Sequence, residues 1–380
     1  MFKERQITAR LLEDGSVEVV DPGYESLELL KTINPSFEIQ RGPLPGFTEP
    51  KLTSAMKTTV AAGRKELPHL PTERLWKIHD VALAVQAGSL VSGIGQKDDA
   101  SLIELKAELA RREIAACMLC GRRCGVDRLS GATGSCGLGD TALVSEMFVH
   151  ICEEPPVNPS LNINLRGCGL QCCYCQKPDW LEPHGAGMPL DGRMNKALYD
   201  IVHTSRSVMF IGGNPDESLY AVLHFLSHLP KPITKPLVWK NNGYASPQVY
   251  RLLNGIIDVY IPDAKFYSPI CSEELADCAN YFEDFRRGIK ALLEQEAFVI
   301  VRILVLPGHS ICCHKPMIDF LAKYQERIKL NIMSQYFPSH HMSKNGQSPM
   351  NTRLVTDEFL KVWNYAAHYG RDWLNLHRKL

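Results

Sequence analysis

From residue 161 onwards, the hydrophobic positions of the chain form six short runs that have the pattern of β-strands. The first run, Leu161-Asn-Ile-Asn-Leu165, alternates strictly between apolar and polar side chains, and the later ones are mostly apolar. The later runs are 208–211, 237–239, 257–261, 298–306 and 330–333. Between the runs, apolar residues recur at helical spacing. This alternation of strands and helices predicts right-handed crossovers and a parallel sheet, and therefore an α/β fold.

Polar or glycine-rich segments follow these strands directly. Gly212-Gly213-Asn214-Pro215 follows the second strand, Asn241-Asn242-Gly243-Tyr244 the third, and Pro262-Asp263-Ala-Lys265 the fourth. The carboxyl ends of parallel strands meet at one edge of a sheet, and α/β folds place their active sites there. If the sheet curls into a barrel, these segments converge on one rim.

The first 110 residues have a different pattern, which predicts a small α+β extension. Asp14-Gly15 is a turn signal between the alternating runs 7–11 and 17–20, and it predicts a hairpin. Further along, Thr72 is a candidate cap for one helix, and Ser101 with Glu104 forms a capping box that opens a second helix. The pattern is compatible with a lid, a surface for a partner or a stabilising cap.

The composition is that of a globular chain of 380 residues, 45% of them hydrophobic, which is long enough for a full core. Its 42 basic and 42 acidic side chains give a formal net charge of zero, so no nucleic-acid partner is expected. No apolar run reaches the length of a transmembrane helix, and the first residues lack the apolar core of a signal peptide. We therefore expect no membrane partner and a cytoplasmic location.

Thirteen cysteines are many for this length, and an odd number without an export signal favours metal or redox chemistry over disulfides. Nine of them lie between Cys117 and Cys175. The other four are spread along the sequence and are expected to be buried structural cysteines; they are Cys271, Cys278, Cys312 and Cys313.

Three of the nine, Cys168, Cys172 and Cys175, lie on the loop that leaves the first predicted strand. Three thiolates on one short loop can hold three corners of a 4Fe-4S cubane, which leaves the fourth iron open for chemistry. Because this loop shares its rim with the polar segments, the cluster would face a candidate active site.

A second cysteine group occupies the segment that we assign to residues 111–155. Its four cysteines, with nearby glycines that allow tight turns, are Cys117, Cys120, Cys124 and Cys136. Four thiols are enough for a zinc ion or a second iron-sulfur cluster, and the sequence does not separate the two. A reduced cysteine-rich loop without metal is the alternative. Glu153 and Glu154, which follow, are candidates to line the site, but the favoured expectation is a solvated linker.

The motifs resemble those of the radical SAM superfamily. Cys168-Gly-Leu-Gln-Cys172-Cys-Tyr174-Cys175 looks like its cluster motif, and Gly212-Gly213-Asn214-Pro215 looks like its Gly-Gly motif. Segments 242–244, 260–265, 302–308 and 335–338 resemble the branch similar to pyruvate formate-lyase activating enzymes. Within that branch, the chain is most similar to a subfamily with an upstream cysteine-rich motif, here followed by Arg128 and Gly134-Ser-Cys136. The resemblance covers roughly residues 117–340.

The resemblance implies a partial (βα)6 TIM-like barrel over residues 156–345. The rest of the chain would form an N-terminal α+β extension over 1–110, a cysteine-rich knuckle over 111–155 and a C-terminal helical segment over 346–380. It also implies two cofactors, a 4Fe-4S cluster and S-adenosylmethionine, with a second metal centre in the knuckle. In this family the reduced cluster cleaves S-adenosylmethionine to a 5'-deoxyadenosyl radical, which abstracts hydrogen from a substrate.

Residue roles follow from the resemblance position by position. Tyr174 would lie beside the adenine, and Gly212 and Gly213 would let the backbone approach the methionyl amino group. The remaining contacts to the polar parts of S-adenosylmethionine would come from Asn214, Asp263, Lys265 and Arg302. For Asp263 with Lys265 the alternative is a structural ion pair at the rim, and for Arg302 it is a buried partner of a carboxylate.

Two classes of function fit these features. The favoured one is a radical SAM enzyme, either an activase that installs a glycyl radical on a partner protein or a modifier of a small molecule or peptide. It would receive electrons from a flavodoxin- or ferredoxin-type donor. The alternative is an iron-sulfur or zinc protein without catalysis, which serves electron transfer, sensing or scaffolding.

Overall fold

The computed structural model of the chain describes residues 8–11, 17–20, 47, 49–90, 98–182, 185–344 and 348–374. Its centre is an eight-stranded sheet of mixed direction, with parallel strands in the majority. The strands of this sheet, in chain order, are β5 (Leu143–His150), β6 (Ser160–Leu165), β7 (Met188–Pro189), β8 (Ser207–Gly212), β9 (Leu237–Asn241), β10 (Val259–Pro262), β11 (Phe298–Leu304) and β12 (Lys329–Met333).

The six strands predicted from the sequence are β6, β8, β9, β10, β11 and β12, and they pair in parallel in that order. Beyond β6, two strands continue the sheet with antiparallel pairing, first β5 and then β7. The predicted parallel sheet is therefore confirmed. Among the described residues the edge strands β7 and β12 do not pair, so the sheet is open rather than closed into a barrel.

Helices follow most of the parallel strands and cover the outer face of the sheet. They are α4 (Asn195–Ile201), α5 (Leu219–Ser227), α6 (Pro247–Leu253), α7 (Pro269–Ala276), α8 (Tyr281–Leu293), α9 (Lys315–Ala322) and α10 (Thr356–Ala367). These helices bury apolar faces in one large hydrophobic core, to which alternate strand residues such as Phe210, Trp239 and Tyr260 belong. Each parallel strand therefore contributes every second side chain to the helix-covered core.

The other face of the sheet has two layers. Near the amino ends of the strands, apolar residues including Met209, Val238, Ile261 and Ile300 form a second, smaller core. Towards the carboxyl ends, the side chains of this face become polar, as at Asn164. A cavity of about 400 Å³ opens above the apolar layer.

The described part of the N-terminal region consists of short elements, and those after residue 50 contribute buried residues to the main core. The elements are β1 (Thr8–Leu11), β2 (Val17–Val20), α1 (Lys51–Lys57), β3 (Thr59–Gly63), α2 (Thr72–Gln86), β4 (Asp99–Ser101) and α3 (Leu102–Glu113). β1 and β2 pair antiparallel, as the hairpin prediction requires, whereas its turn lies outside the described residues. The Ser101 and Glu104 capping box opens α3 as predicted. Thr72 is the first residue of α2 rather than its cap. The cap position is occupied by Pro71, whose side chain makes no capping hydrogen bond.

This region binds the amino ends of the central strands, on the side away from the cavity. The Gln86 side-chain amide donates to the Gly255 carbonyl oxygen over 2.7 Å. The backbone amide of Lys51 donates to Asp258, which also accepts from the amide of Leu237 at the start of β9. Residues 51–86 are thus fixed to the end of the sheet opposite the candidate site.

None of the helices in the described ranges has the length and apolarity needed to cross a membrane.

Candidate functional site

The cavity lies at the carboxyl ends of the parallel strands. Phe148 from β5 lines it on one side and Met333 from β12 on the other, so the sheet curves around the space between them. Polar and metal-binding side chains make up much of the lining: His150, Glu153, Asn162, Asn164, Cys168, Cys172, Cys175, Gln176, Lys177, Asn214, Lys240, Asn241, Asn242, Asp263, Lys265, Arg302 and Gln335. The structure therefore brings the predicted cluster loop and the predicted polar segments to one site.

The cluster loop is held in place by backbone hydrogen bonds on two sides. The amides of Gln171 and Cys173 donate to the carbonyl oxygens of Ala276 and Leu275 at the end of α7. On the other side, the Ser339 hydroxyl donates to the carbonyl oxygen of Cys175 over 2.6 Å. These bonds fix the path of the loop from outside the cavity and leave the three predicted ligands to line it.

The thiols of this loop fit a cluster better than a single ion. Burial raises the pKa of Cys168 and Cys175, and it raises the pKa of Cys172 to about 12 although Lys265 opposes the shift. Buried thiols of this kind become thiolates when metal ions supply the compensating charge. Their sulfurs do not all lie within 4.8 Å of one another. Ligands of one ion would lie that close, whereas the three thiolates of a cubane each bind a different iron.

Asn242 links the cluster loop to the loop after β9. Its side-chain amide points at the sulfur of Cys168, with 3.5 Å between Nδ2 and Sγ, and its side-chain oxygen accepts from the amide of Tyr244. Hydrogen bonds to ligand sulfurs are among the contacts by which proteins tune iron-sulfur clusters. The sequence placed Asn242 in a motif segment but did not predict its contact with the sulfur of Cys168.

Gly212 and Gly213 bring the loop after β8 into close contact with the start of the cluster loop. Gly212 has a positive φ of 127°, and a Cβ atom there would lie 2.2 Å from the carbonyl oxygen of Leu165. At Gly213 a Cβ would lie 2.3 Å from the carbonyl oxygen of Gly167. The structure therefore requires glycine at both positions, because a side chain would push the two loops apart.

The Asn214 side chain is used entirely within the protein. Its Nδ2 donates to Asp216 and Glu217 over 3.0 and 2.6 Å, and its Oδ1 accepts from the backbone amide of Asn242. Glu217 in turn accepts from the amide of Gly169 in the cluster loop. These bonds position three loops against one another, and Asn214 also lines the cavity. Its contact with the cofactor stays a prediction.

Burial, together with the charge of the neighbouring Asp216, raises the pKa of the Glu217 carboxyl to about 7. Asp216 is fully buried and accepts from the indole of Trp239 and the amide of Asn241. Sequence reasoning missed both carboxylates, although they follow the Gly-Gly-Asn-Pro segment directly.

Asp263, Lys265 and Arg302 form one ion-paired group on the cavity wall. The Asp263 carboxylate lies 3.1 Å from Lys265 Nζ and accepts from Arg302 Nε over 2.8 Å. Burial would raise the pKa of Asp263, but the two cations hold it well below its usual range. The three residues predicted to contact S-adenosylmethionine therefore lie together. They also form the ion pairs that the sequence analysis gave as the alternative to cofactor contact.

Tyr174 is buried next to the ligand cysteines and lines the cavity. Phe266 and Tyr336 pack against its ring with edge-on geometry, at centroid distances of 6.3 and 6.2 Å. The ring is therefore fixed by its neighbours. A base stacked near it would meet a rigid aromatic wall.

Glu153 and Glu154 lie inside the curved sheet, which corrects the expectation of a solvated linker. Both are nearly inaccessible, at 9% and 4% exposure. Glu153 lies 2.5 Å from Lys240 Nζ and accepts from the Asn162 amide, and Glu154 pairs with Arg302 over 3.5 Å. Burial would raise the pKa of Glu153, but the charge of Lys240 holds it well below its usual range. Glu153 lines the cavity, which was the less favoured of the two expectations for this pair of residues.

The second cysteine group packs against the back of the cluster loop. Arg122 from this segment donates to the carbonyl oxygen of Gly169 over 2.8 Å, and the sulfur of Cys120 lies 3.1 Å from where a Cβ at Gly169 would be. Cys124 and Cys136 both adjoin Gly134. No three of the four sulfurs lie within 4.8 Å of one another in the described structure, so a single-ion geometry is not formed there. A second centre at Cys117, Cys120, Cys124 and Cys136 stays a prediction.

Comparison with known families and structures adds two kinds of finding. Residues 161–268 match a family model described as a 4Fe-4S single cluster domain, and this range contains Cys168, Cys172 and Cys175. Among solved structures, partial likenesses at 10–13% identity involve TsrM from Kitasatospora setae, described as a radical S-adenosylmethionine methyltransferase, TYW1 with a lysine-pyruvate adduct, and the [FeFe]-hydrogenase maturase HydG.

The overlaps with these structures are limited. They cover 46%, 56% and 80% of this chain and 36%, 74% and 64% of the TsrM, TYW1 and HydG chains, with TM-scores of 0.35, 0.34 and 0.37. Nothing about the chemistry of this chain follows from likenesses at this level.

A much closer relative is the "Uncharacterized protein MJ0674" of Methanocaldococcus jannaschii. It is 31% identical over 316 residues, which are 81% of this chain and 91% of that protein. The shared stretch is therefore far longer than the cluster domain. This chain belongs to the same protein family as MJ0674.

Proposed function

We propose that the chain is a radical S-adenosylmethionine enzyme in which Cys168, Cys172 and Cys175 hold a 4Fe-4S cluster. One observation carries the proposal: these three thiols line the same cavity as the Gly212-Gly213 turn and the Asp263, Lys265 and Arg302 group. Such a site has one wall for a cluster and another for a polar cofactor. The match of residues 161–268 to a 4Fe-4S single cluster domain supports the first part.

When bound, the cluster would supply the electron that cleaves S-adenosylmethionine and so produces the 5'-deoxyadenosyl radical, which abstracts hydrogen from the substrate. The residues of this chain bind and orient S-adenosylmethionine. The cations Lys265 and Arg302 suit the methionyl carboxylate, and Asp263 suits hydroxyl or ammonium groups. The Gly212-Gly213 backbone leaves room for the amino group, and Tyr174 offers a flat wall for the adenine.

The interior end of the cavity favours a polar substrate. Lys240 and Glu153 line it with opposite charges, and both are buried. The side-chain oxygen of Asn162, which is also buried there, accepts no hydrogen bond from the described residues. A buried acceptor without a donor is costly, so a substrate with its own donors would be stabilised at this end.

Within this proposal, the enzyme belongs to the branch similar to pyruvate formate-lyase activating enzymes. It acts either on a glycyl radical partner or on a small molecule or peptide, and it receives electrons from a flavodoxin- or ferredoxin-type protein. The sequence motifs at 242–244, 260–265 and 335–338 support this branch.

The test is formation of 5'-deoxyadenosine by the anaerobically reconstituted full chain with a strong reductant and S-adenosylmethionine. We expect product from the wild type and from Cys173→Ala, because Cys173 does not line the cavity. We expect none from Cys172→Ala, and we expect the absorption of the cluster to be lost in that variant alone.

Two outcomes would contradict the proposal. An intact cluster in the wild type without any 5'-deoxyadenosine would favour the non-catalytic iron-sulfur alternative. Equal loss of cluster absorption in Cys172→Ala and Cys173→Ala would show that the ligands are assigned wrongly.

A further inference from the structure

Cys271 and three residues from a later segment of the chain meet at the first turn of α7. The ligand atoms of Cys271, His309, Cys312 and Cys313 all lie within 4.8 Å of one another, and in the described structure they are the one group of three or more such residues that does so. The sequence predicted buried structural cysteines at Cys271, Cys278, Cys312 and Cys313. Cys271, Cys278 and Cys313 are buried, whereas Cys312 is exposed, and the fold places Cys271, Cys312 and Cys313 side by side.

Two elements build this group. Cys271 lies in the first turn of α7, where Ser268 caps the helix. The other three residues belong to the turn after β11, which continues as a π-helical turn over Ser310–His314. The Cys312 sulfur lies 3.6 Å from the Cys271 sulfur and 3.5 Å from His309 Nδ1.

We infer that Cys271, His309, Cys312 and Cys313 form a binding site for a single zinc ion. Three thiolates and one imidazole are a common ligand set of structural zinc sites. Four ligands at about 2.3 Å from a central ion stand roughly 3.8 Å apart in a tetrahedron. The observed sulfur–sulfur distance of 3.6 Å is close to that value.

The surroundings suit a bound cation. Cys271 and Cys313 are buried and form the inner wall, whereas Cys312 is exposed and His309 half-buried, so an ion can enter from solvent. The first turn of a helix favours negative charge, which helps Cys271 to bind as a thiolate. Each thiol gives up its proton to solvent as the ion binds, and no oxidant or reductant is needed.

The ion would connect two parts of the candidate active site. α7 carries the backbone acceptors of the cluster loop, Leu275 and Ala276, a single turn after Cys271. The turn that carries His309 follows Leu304 and Leu306, which line the cavity. Zinc at this position would fix the support of the cluster loop to the wall contributed by β11.

The experiment measures zinc in the full chain, purified anaerobically with reductant and without S-adenosylmethionine. We compare the wild type with Cys271→Ser/Cys312→Ser and with the matched control Cys278→Ser, which removes a buried cysteine of the same region outside the group. The double variant should bind one zinc per chain fewer than the wild type and the control. Zinc held by other cysteines is common to all three proteins and cancels.

A cobalt substitution assigns the ligands. Co²⁺ titrated into the metal-free chain should give sulfur-to-metal charge-transfer absorption that Cys278→Ser retains and the double variant lowers. His309→Gln changes a half-buried residue, so this variant should fold even if the double variant does not. It should weaken zinc binding at least tenfold and shift the cobalt spectrum.

Three results would overturn the inference. Equal zinc content in all variants would do so, and so would a site that takes up iron but not zinc. The third is a Cys271–Cys312 disulfide, found by peptide mass mapping in the anaerobic protein in place of bound metal. None of these readouts depends on cleavage of S-adenosylmethionine, so they test the zinc site independently of the proposed activity.

Discussion

Glu153 and Lys240 are oppositely charged and lie together in the interior of the sheet, where each requires the other. Their side chains are 4% and 9% exposed. Removing one partner from such a pair leaves an unpaired buried charge, which is more costly than losing the attraction itself. Asn162 and His150 also contact Glu153, so the carboxylate is surrounded by donors.

Glu153→Gln and Lys240→Met should each lower the free energy of unfolding by about 3–5 kcal/mol, because each removes the nearest opposite charge from a buried ion. The double variant should lose clearly less than the sum of the two single losses. Urea unfolding of all four proteins measures both effects. Strict additivity would show that the two side chains do not interact.

The same pair makes stability depend on pH. The folded-state pKa of Glu153 is depressed, so the folded chain takes up this proton less readily than the unfolded chain. The stabilisation is therefore complete above the unfolded pKa of about 4.3 and is lost as the pH falls towards the folded-state value. The stability difference between wild type and Glu153→Gln should narrow below about pH 4.3. A difference that stays constant down to acid unfolding would contradict this origin.

At the scale of elements, the six parallel strands could be predicted because each is a short apolar run followed by glycine or polar residues. β5 was missed because its pairing with β6 shifts between Val144 and Glu146, and this irregularity breaks the alternation of buried and exposed positions. The group around Cys271 was missed for another reason. Its members come from separate elements, and only the packing of α7 against the turn after β11 brings them together.

The capping box of α3 is a local feature that the sequence could specify fully. The Glu104 carboxylate accepts from the backbone amide and from the hydroxyl of Ser101, each over 2.7 Å. In return, Ser101 Oγ accepts from the backbone amide of Glu104. Ser101→Ala should lower the free energy of unfolding by about 1 kcal/mol, because amides of the first turn lose their acceptor. Ser101→Thr keeps an acceptor and should cost less. If thermal or urea unfolding showed the same loss of stability for Ser101→Ala and Ser101→Thr, the capping role would be contradicted.

In the molecule as a whole, the stabilising apolar layer and the candidate site lie at opposite ends of the curved sheet. The apolar layer with Met209, Val238 and Ile261 fills the amino ends of the strands, and Lys51 and Gln86 of the N-terminal region bind that same end. The cavity, with the cluster loop, lies at the other end. The placement of Cys168, Cys172 and Cys175 after the first parallel strand could be predicted from the sequence, whereas the interior carboxylates depend on how the segment after β5 folds into the sheet.

This separation predicts that the apolar layer can be weakened without loss of the cluster. Ile261→Ala should lower the free energy of unfolding by about 2–5 kcal/mol through the cavity it leaves, while iron per chain after reconstitution stays at the wild-type value. Ile270→Ala is a suitable control, because Ile270 is 66% exposed and its truncation should have little effect. Loss of iron from folded Ile261→Ala would show that the two layers are coupled.

In the proposed site, the cluster held by Cys168, Cys172 and Cys175 faces the cofactor cavity with an open iron. The most direct measurement is the electron paramagnetic resonance spectrum of the reduced, reconstituted chain before and after S-adenosylmethionine is added. Because the amino and carboxylate groups of the cofactor would bind the open iron, we predict a clear change in the g values of the cluster. An intact reduced cluster whose spectrum is the same with saturating S-adenosylmethionine would contradict the account.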